Sequence, residues 1–255
     1  MKVTFLGTGT SQGVPVIGCR CEVCRSLDFR DKRLRTSAHL EVAGQSLIID
    51  SGPDFRQQVL ANNIARLDGL LFTHQHKDHV AGMDDVRSFN FMQQKAMPIY
   101  ARDTVLAQLK QEFSYVFAKD KYPGVPQVDI HPITNNTFDA QGVTVTPIEV
   151  LHYKLPVFGF RIRRFTYITD AKSISEAEKE KIRGSEVLVL NALQLSQHIS
   201  HLTLEEALAL AEELQPKQTY LTHISHRLGL HQLVSEQLPS GVALAYDGLT
   251  IDLPE

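Results

Sequence analysis

The sequence predicts an α/β fold in a single domain spanning residues 1–255, and three observations carry that expectation. Short runs rich in β-branched residues recur along the whole chain, helical patterns fall between them, and no composition break or low-complexity linker interrupts the series. With 43% hydrophobic residues the chain can also bury a substantial core.

The strand candidates are, in order, KVTFL, SAHLEVA, SLIID, DGLLFT, VTVTPIEV, VFGFRI, FTYIT, VLVLN, QTYLT and VALAYD. The clearest helix is TLEEALALAEELQ, residues 203–215. Thr203 and Glu206 form a Thr-x-x-Glu capping box, Leu204, Leu208 and Leu214 make the apolar stripe, and Pro216 follows the end. DFRQQVLANN and TVLAQLKQEFSYVF are further helices. ARLDGLLFTHQHKDH and LQPKQTYLTHISHRL each leave a helix, run through a strand into Thr-His and reach another histidine shortly after, a hint of two similar halves.

Composition excludes several classes. A formal net charge of −3 gives no overall basic field, so no strong nucleic-acid footprint is expected. Nothing resembles a transmembrane span, and Gly and Gln interrupt the N-terminal apolar run before a signal-peptide core could form, so a cytoplasmic protein without a membrane partner is expected. The tetrapeptide VIGC before Arg20 lacks the unbroken apolar segment of a lipoprotein cleavage site. The 3 cysteines, Cys19, Cys21 and Cys24, are an odd and local set, which suits a metal better than a disulfide framework.

The segment FTHQHKDHV follows a strand and sets His74, His76, Asp78 and His79 in the pattern H-x-H-x-D-H. Imidazole and carboxylate together suit zinc, manganese or iron ions, and alternate positions on one stiff loop converge with little ordering cost.

The pattern resembles that of the metallo-β-lactamase superfamily, and the resemblance extends to VLHYK with His152, YITDA with Asp170 and LTHIS with His223, in that order. It implies an αββα sandwich, two mixed sheets flanked by helices. It also implies that His74, His76 and His152 hold one divalent metal ion, zinc or manganese, and that Asp78, His79 and His223 hold a second, with Asp170 bridging. Two such ions roughly 3.5–4 Å apart can share and acidify a water and clamp the entering and leaving oxygens at phosphorus. No thiolate is available among these ligands, which argues against lactam hydrolysis.

LGTGTSQGVPVIGCRCEVC, LRTSA, IIDSGPDFR, ISHLTLEEAL, THISHRLG and AYDG look like the PhnP-type cyclic phosphodiesterase branch, over nearly the whole chain. The C-x-C-x-x-C in the glycine-rich loop is shared with PqqB-like proteins. Three thiolates need a fourth ligand to close a structural zinc site in the loop at 18–25. His226 is the choice, because three positions past His223 its side chain should serve a different site, and the resemblance implies the same residue; His231 is the alternative.

The resemblance further places His201 at the substrate phosphate or the leaving group, while His198 has no assigned task. Arg35, opening a strand beside the glycine-rich loop, is a candidate phosphate handle. LGTGTSQG lacks the lysine of a nucleotide-binding P-loop. His39 and His131 read as packing or surface histidines.

The expected function is metal-dependent hydrolysis of a small cyclic or nucleotide-like phosphodiester, by resemblance of the 5-phosphoribosyl 1,2-cyclic phosphate type. In that reading Asp78 orients the nucleophile and His201 assists the leaving oxygen. Alternatives on the same centre are thioester or lactone hydrolysis and transfer-RNA 3′ processing, although the basic, Gly/Pro-rich arm that usually accompanies the latter is not visible. A homodimer is implied by the resemblance.

Overall fold

The computed structural model describes residues 1–254. The strands are β1 (Lys2–Gly7), β2 (Ser37–Val42), β3 (Gln45–Ile49), β4 (Gly69–Leu71), β5 (Met97–Ala101), β6 (Val128–Pro132), β7 (Phe138–Ala140), β8 (Val143–His152), β9 (Leu155–Ile162), β10 (Phe165–Tyr167), β11 (Ser173–Ile174), β12 (Val187–Asn191), β13 (Gln218–Thr222), β14 (Val242–Leu244) and β15 (Thr250–Asp252). One sheet runs β15-β1-β2-β3-β4-β5-β6, the other β11-β8-β9-β10-β12-β13-β14, with β7 added beside β8. Both are mixed in the same sense. Pairing is antiparallel from β15 to β3 and from β11 to β10, then parallel from β3 to β6 and from β10 to β14.

The period-two alternation of strand side chains divides each strand between two cores. Leu47 and Ile49 of β3 point into the layer between the sheets, where they join Phe5, Leu40, Phe158, Phe160, Phe165, Tyr167 and Val189. Ile48, between them in sequence, points the other way and packs under helices through Phe55, Val80, Met83, Phe89 and Leu109. On the second sheet Val189 faces inward while Leu188 and Leu190 face Ile182, Ala207, Leu210 and Leu214. The architecture is therefore helix, sheet, sheet, helix. Burying each large side chain of the central layer contributes roughly 1.5–3 kcal/mol, so no single contact holds the sheets together.

The helix Leu204–Leu214 carries the expected capping box, with both reciprocal Thr203–Glu206 bonds present. The segment read as one helix over TVLAQLKQEFSYVF is two, Asp103–Glu112 and Ser114–Phe117, separated at Phe113, whose φ and ψ of −109° and 42° leave the helical region. β5, β6, β7, β11 and β15 were not expected; β5 and β6 carry Pro98 and Pro132, and β6 is an edge strand, where a missing N–H is tolerated. Among the described residues no helix is long and apolar enough to cross a membrane.

The parallel strands bring their carboxyl ends to one rim. Asp50 follows β3, His74 lies just past β4, Asp170 past β10 and His223 directly after β13. Two similar Thr-His turns thus arrive from the two sheets.

Candidate metal centre

Three of the residues that follow these strands hold left-handed backbone: Asp50 at φ 61°, Asp170 at φ 57° and His223 at φ 55°. That conformation costs a non-glycine residue of order 1–3 kcal/mol and turns the chain sharply at the strand end, so that the side chain is aimed back over the sheet edge. The strain is concentrated where polar groups converge.

His74, His76 and His152 bring ring nitrogens within 4.8 Å of one another; so do the donors of Asp78, His79 and His223, and those of His74, His79 and Asp170. His79 Nε2 lies 3.1 Å from Asp78 Oδ2 and 3.3 Å from Asp170 Oδ2. His223 Nε2 lies 3.2 Å from Asp170 Oδ1. The expected ligands are thus together, and His201 stands beside them with Nε2 3.6 Å from Asp170 Oδ1. His201 can also complete a triad of donors with His152 and Asp170.

The hydrogen bonds behind this cluster set the tautomers. Thr73 Oγ1 donates to Asp50 Oδ2 at 2.7 Å and so accepts from His74 Nδ1 at 3.0 Å. His79 Nδ1 donates to Asp50 Oδ2 at 2.7 Å, and His152 Nδ1 to the Ser200 carbonyl at 2.9 Å. Each ring has its proton on Nδ1 and presents an Nε2 lone pair to the centre, the state a metal ligand requires. His79 Nε2 and both nitrogens of His223 are buried with no hydrogen-bond partner. A polar atom left so costs about 1–3 kcal/mol, which a cation between these donors removes. The donor set of imidazoles and carboxylates therefore fits divalent ions. Burial alone would raise the carboxyls of Asp78 and Asp170, but the histidines around them hold both below the usual carboxylate range. Burial, with His223 beside it, pushes the His201 imidazole down to about 3.

Two residues of this arrangement escaped the sequence reading. Asp50 is fully buried and accepts from Thr73 N, Thr73 Oγ1 and His79 Nδ1; its signal is a carboxylate ending the buried run before Ser-Gly-Pro. Asn191 at the end of β12 clamps the turn after Asp170, accepting from Ala171 N at 2.8 Å and donating to its carbonyl at 3.0 Å. Gly52 lets the Asp50 loop lie against the histidine loop, since a Cβ there would stand 2.0 Å from the Asp78 carbonyl oxygen.

The cysteine loop forms a second donor cluster. The Sγ atoms of Cys19, Cys21 and Cys24 lie 3.3, 3.4 and 3.5 Å from His226 Nδ1. Ligands at the usual zinc–sulfur and zinc–nitrogen radii sit about 3.6 Å apart along tetrahedron edges, so the four fit a closed zinc site. A hydrogen bond from Cys24 N, with further contacts to His226, brings the Cys21 thiol down to about 6, while burial pushes Cys24 up to about 11. His231, the alternative fourth ligand, is elsewhere: its Nδ1 accepts from Arg33 Nη2 at 3.0 Å and its backbone N–H donates to Asp31.

Arg35 does not offer the free charge expected of a phosphate handle. Its Nη1 pairs with Asp54 at 2.9 Å and its Nε donates to the Ser11 carbonyl at 3.1 Å, so the guanidinium braces the glycine-rich loop. Neither His39, whose Nε2 bonds Ser46 in β2 and β3, nor His131, paired with Asp129 on β6, approaches the centre.

Comparisons agree with this geometry. A Beta-lactamase superfamily domain profile matches residues 45–224. The crystal structure of a diphosphatase from the PhnP family superposes with a TM-score of 0.92 at 39% identity, over 99% of this chain and 98% of that one. Zinc-bound PqqB from Methylobacterium extorquens shares the fold, with a TM-score of 0.83 at 23% identity over 99% of this chain and 100% of that one. A Porphyromonas gingivalis protein named octanoyltransferase is 39% identical over 258 residues, which is 100% of this chain and 52% of the relative, so the chain spans about half of that protein's length. The chain belongs to the metallo-β-lactamase superfamily, as a PhnP-type protein built for divalent metal ions.

Proposed function

We propose that this hydrolase is a dinuclear metal-dependent phosphodiesterase acting on small cyclic or nucleotide-like phosphodiesters. The observation that carries the reading is the donor set itself: two triads, His74–His76–His152 and Asp78–His79–His223, with Asp170 between them and no thiolate among them. The PhnP-family diphosphatase, alike over the whole chain, supports phosphorus as the centre attacked.

In this reading the triads would hold one zinc or manganese ion each, Asp170 would be a ligand to both, and Cys19, Cys21, Cys24 and His226 would hold a structural zinc. When bound, two such ions supply an acidified water and offset charge on the phosphoryl oxygens. The chain's own residues do the rest. Asp50, Thr73 and the Ser200 carbonyl lock the ring orientations of His74, His79 and His152. Asp78 orients the attacking water, and its free carboxylate oxygen can take the proton released. His201, buried beside Asp170 and held neutral by that burial, stabilises the leaving oxygen by a hydrogen bond from its ring N–H. A homodimer, implied by the family resemblance, belongs to the same proposal and is read by sedimentation.

A second reading has one observation in its favour. The Porphyromonas gingivalis relative is named for acyl transfer, and thioester hydrolysis would use the same centre. Parallel assays of bis-p-nitrophenyl phosphate and an octanoyl thioester, with metal-defined protein, decide between them. Phosphodiester turnover well above thioester turnover supports the proposal, and the reverse order replaces it.

A further inference from the structure

The hairpin that joins β8 to β9 turns on Tyr153 and Lys154, directly after His152. Tyr153 holds left-handed backbone at φ 57°. A two-residue hairpin turn asks for that conformation at its first central residue, and glycine, asparagine or aspartate is the usual occupant, because a bulky side chain is strained there. An aromatic ring kept at such a position has a use that outweighs the strain. Packing is not that use. Tyr153 is 51% exposed, and among the described residues its hydroxyl makes no hydrogen bond within the protein and no second ring lies against it. Its one ring contact is with its own neighbour, Lys154 Nζ, 5.3 Å from the ring centroid.

The position of this turn gives the ring its meaning. The hairpin turns at Ala43, Gln141–Gly142 and Arg163 gather at the opposite end of the strands, where Ala43, Gly142 and Arg163 line one surface pocket. The Tyr153 turn alone among these hairpins adjoins a candidate metal ligand. The Ser200 carbonyl accepts from His152 Nδ1 at 2.9 Å, and the residue before Ser200 is the exposed Ile199. On the other side of His152 the Leu151 carbonyl accepts from Lys172 N at 2.7 Å, and the Leu151 side chain is also exposed. His201 stands over the same ligand, its ring centroid 4.5 Å from that of His152. Three exposed apolar side chains, Leu151, Tyr153 and Ile199, thus belong to the segments that hold His152 at the rim, and one of them is a flat ring set there against its backbone preference.

We infer that Tyr153 determines specificity by stacking on a nucleobase of the substrate whose cyclic phosphodiester lies at the metal centre. The inference rests on the phosphodiesterase reading and narrows it from small cyclic esters in general to those of nucleosides. Stacking needs only a π-face, so it accepts any base and favours the larger purines. The base takes no part in bond breaking, and the weight of Tyr153 therefore falls on KM.

The test compares adenosine 2′,3′-cyclic phosphate with the 2′,3′-cyclic phosphate of methyl riboside, which has the same reacting ester and leaving hydroxyl but no base. The proteins are the metal-loaded wild type, Tyr153→Phe, Tyr153→Ala and Tyr153→Gly. The wild type is expected to favour the adenosine ester about tenfold in kcat/KM, the factor that one base–aromatic stack supplies. Tyr153→Phe keeps the preference, whereas Tyr153→Ala and Tyr153→Gly bring it to near one through KM. Glycine also relieves the left-handed backbone, so Tyr153→Gly should melt no lower than wild type while losing the preference. No preference in the wild type, a preference that survives in Tyr153→Ala, or a clearly lower melting temperature in Tyr153→Gly overturns the inference. So does a changed sedimentation coefficient in Tyr153→Ala, which would assign the ring to a contact between copies of the chain. If the wild type cleaves neither ester, the phosphodiesterase reading fails and equilibrium dialysis with the same two esters decides the ring. Binding of the adenosine ester that is the tighter of the two and weakens about tenfold in Tyr153→Ala keeps the stacking site, whereas no binding or equal binding removes it.

Discussion

Asp170 and His223 face each other with Oδ1 3.2 Å from Nε2, and each stands on left-handed backbone at the end of a strand segment of the same sheet. The nearer sheet supplies His79, which reaches the other oxygen of Asp170 at 3.3 Å. One carboxylate therefore addresses donors from both halves of the sandwich. In the proposed assignment each terminal histidine would serve one ion and Asp170 both, so losing Asp170 should remove more than losing any of them.

Asp170→Asn is the variant that isolates this role, because asparagine tolerates left-handed backbone where alanine would add strain. It is expected to fold with an unchanged far-ultraviolet spectrum, to lose both exchangeable ions in elemental analysis, and to lose activity with them. Retention of two exchangeable ions and near-normal turnover would contradict the bridging assignment.

Asp50 acts one step further out. It fixes the proton of His79 directly and that of His74 through Thr73, so its removal leaves two rings free to turn or change tautomer. Asp50→Asn should weaken binding of the exchangeable ions about 10- to 100-fold while the cysteine-bound metal stays. Competitive chelation reads both quantities. Unaltered affinity would show that the rings are held by packing alone.

The cysteine cluster gives a metal count. If its four donors hold a closed structural zinc, as proposed, while the neighbouring centre keeps positions for substrate, about one zinc per chain should survive mild chelation that empties that centre. Cys24→Ser should abolish the retained zinc and lower the melting temperature, since Cys24 is also packed against Val14 and Val23. Absence of retained zinc in active wild-type protein would remove the structural site.

The sequence made most of this legible because each metal-donor motif is short and follows a strand with an unambiguous apolar run. The Thr-His pairs after GLL and QTYLT and the Thr-Asp after FTY could be placed at strand ends from residue pattern alone. The central strands were equally plain, since alternation had to satisfy two cores. Hidden were β5 and β6, which contain Pro98 and Pro132, and the short strands β7, β11 and β15, too brief to show a pattern of their own; β15 pairs with β1 from the far end of the chain. Hidden too was the choice between arginines. Arg33 and Arg35 are two positions apart in one run, yet Arg33 is buried against Thr8, Ala245 and His231 while Arg35 is turned to Asp54, and only the tertiary packing decides this. Asp50 was missed for a similar reason: nothing near it in sequence is its partner.

Stability should respond to acid through His39. Burial between β2 and β3 holds its imidazole below the ordinary 6.5 in the folded protein, so the unfolded chain takes up this proton more readily. The contribution is complete above pH 6.5 and is lost as pH falls below it, because stability rises with pH wherever the unfolded state binds more protons. Urea melts at pH 7.5 and 5.5 should show wild type losing more stability on acidification than His39→Gln, whose amide can still donate to Ser46. Titration of the remaining histidines cancels in that difference. Parallel losses in the two proteins would show that His39 does not contribute.

His201 carries the sharpest mechanistic prediction. It sits two residues before Thr203, whose capping box anchors the Leu204–Leu214 helix, and the Leu202 N–H donates to the Ala171 carbonyl, so its backbone is fixed beside the Asp170 turn. A group that donates to the leaving oxygen matters where that oxygen is a poor leaving group, and such assistance contributes typically 10²- to 10⁴-fold. A p-nitrophenolate departs without help. His201→Ala should therefore keep both exchangeable ions, lose about 10²-fold or more on an alkyl phosphodiester, and lose far less on a p-nitrophenyl ester. Equal losses with ions intact would assign His201 to the phosphoryl oxygens instead. Loss of an ion would make it a ligand, completing the triad it can form with His152 and Asp170.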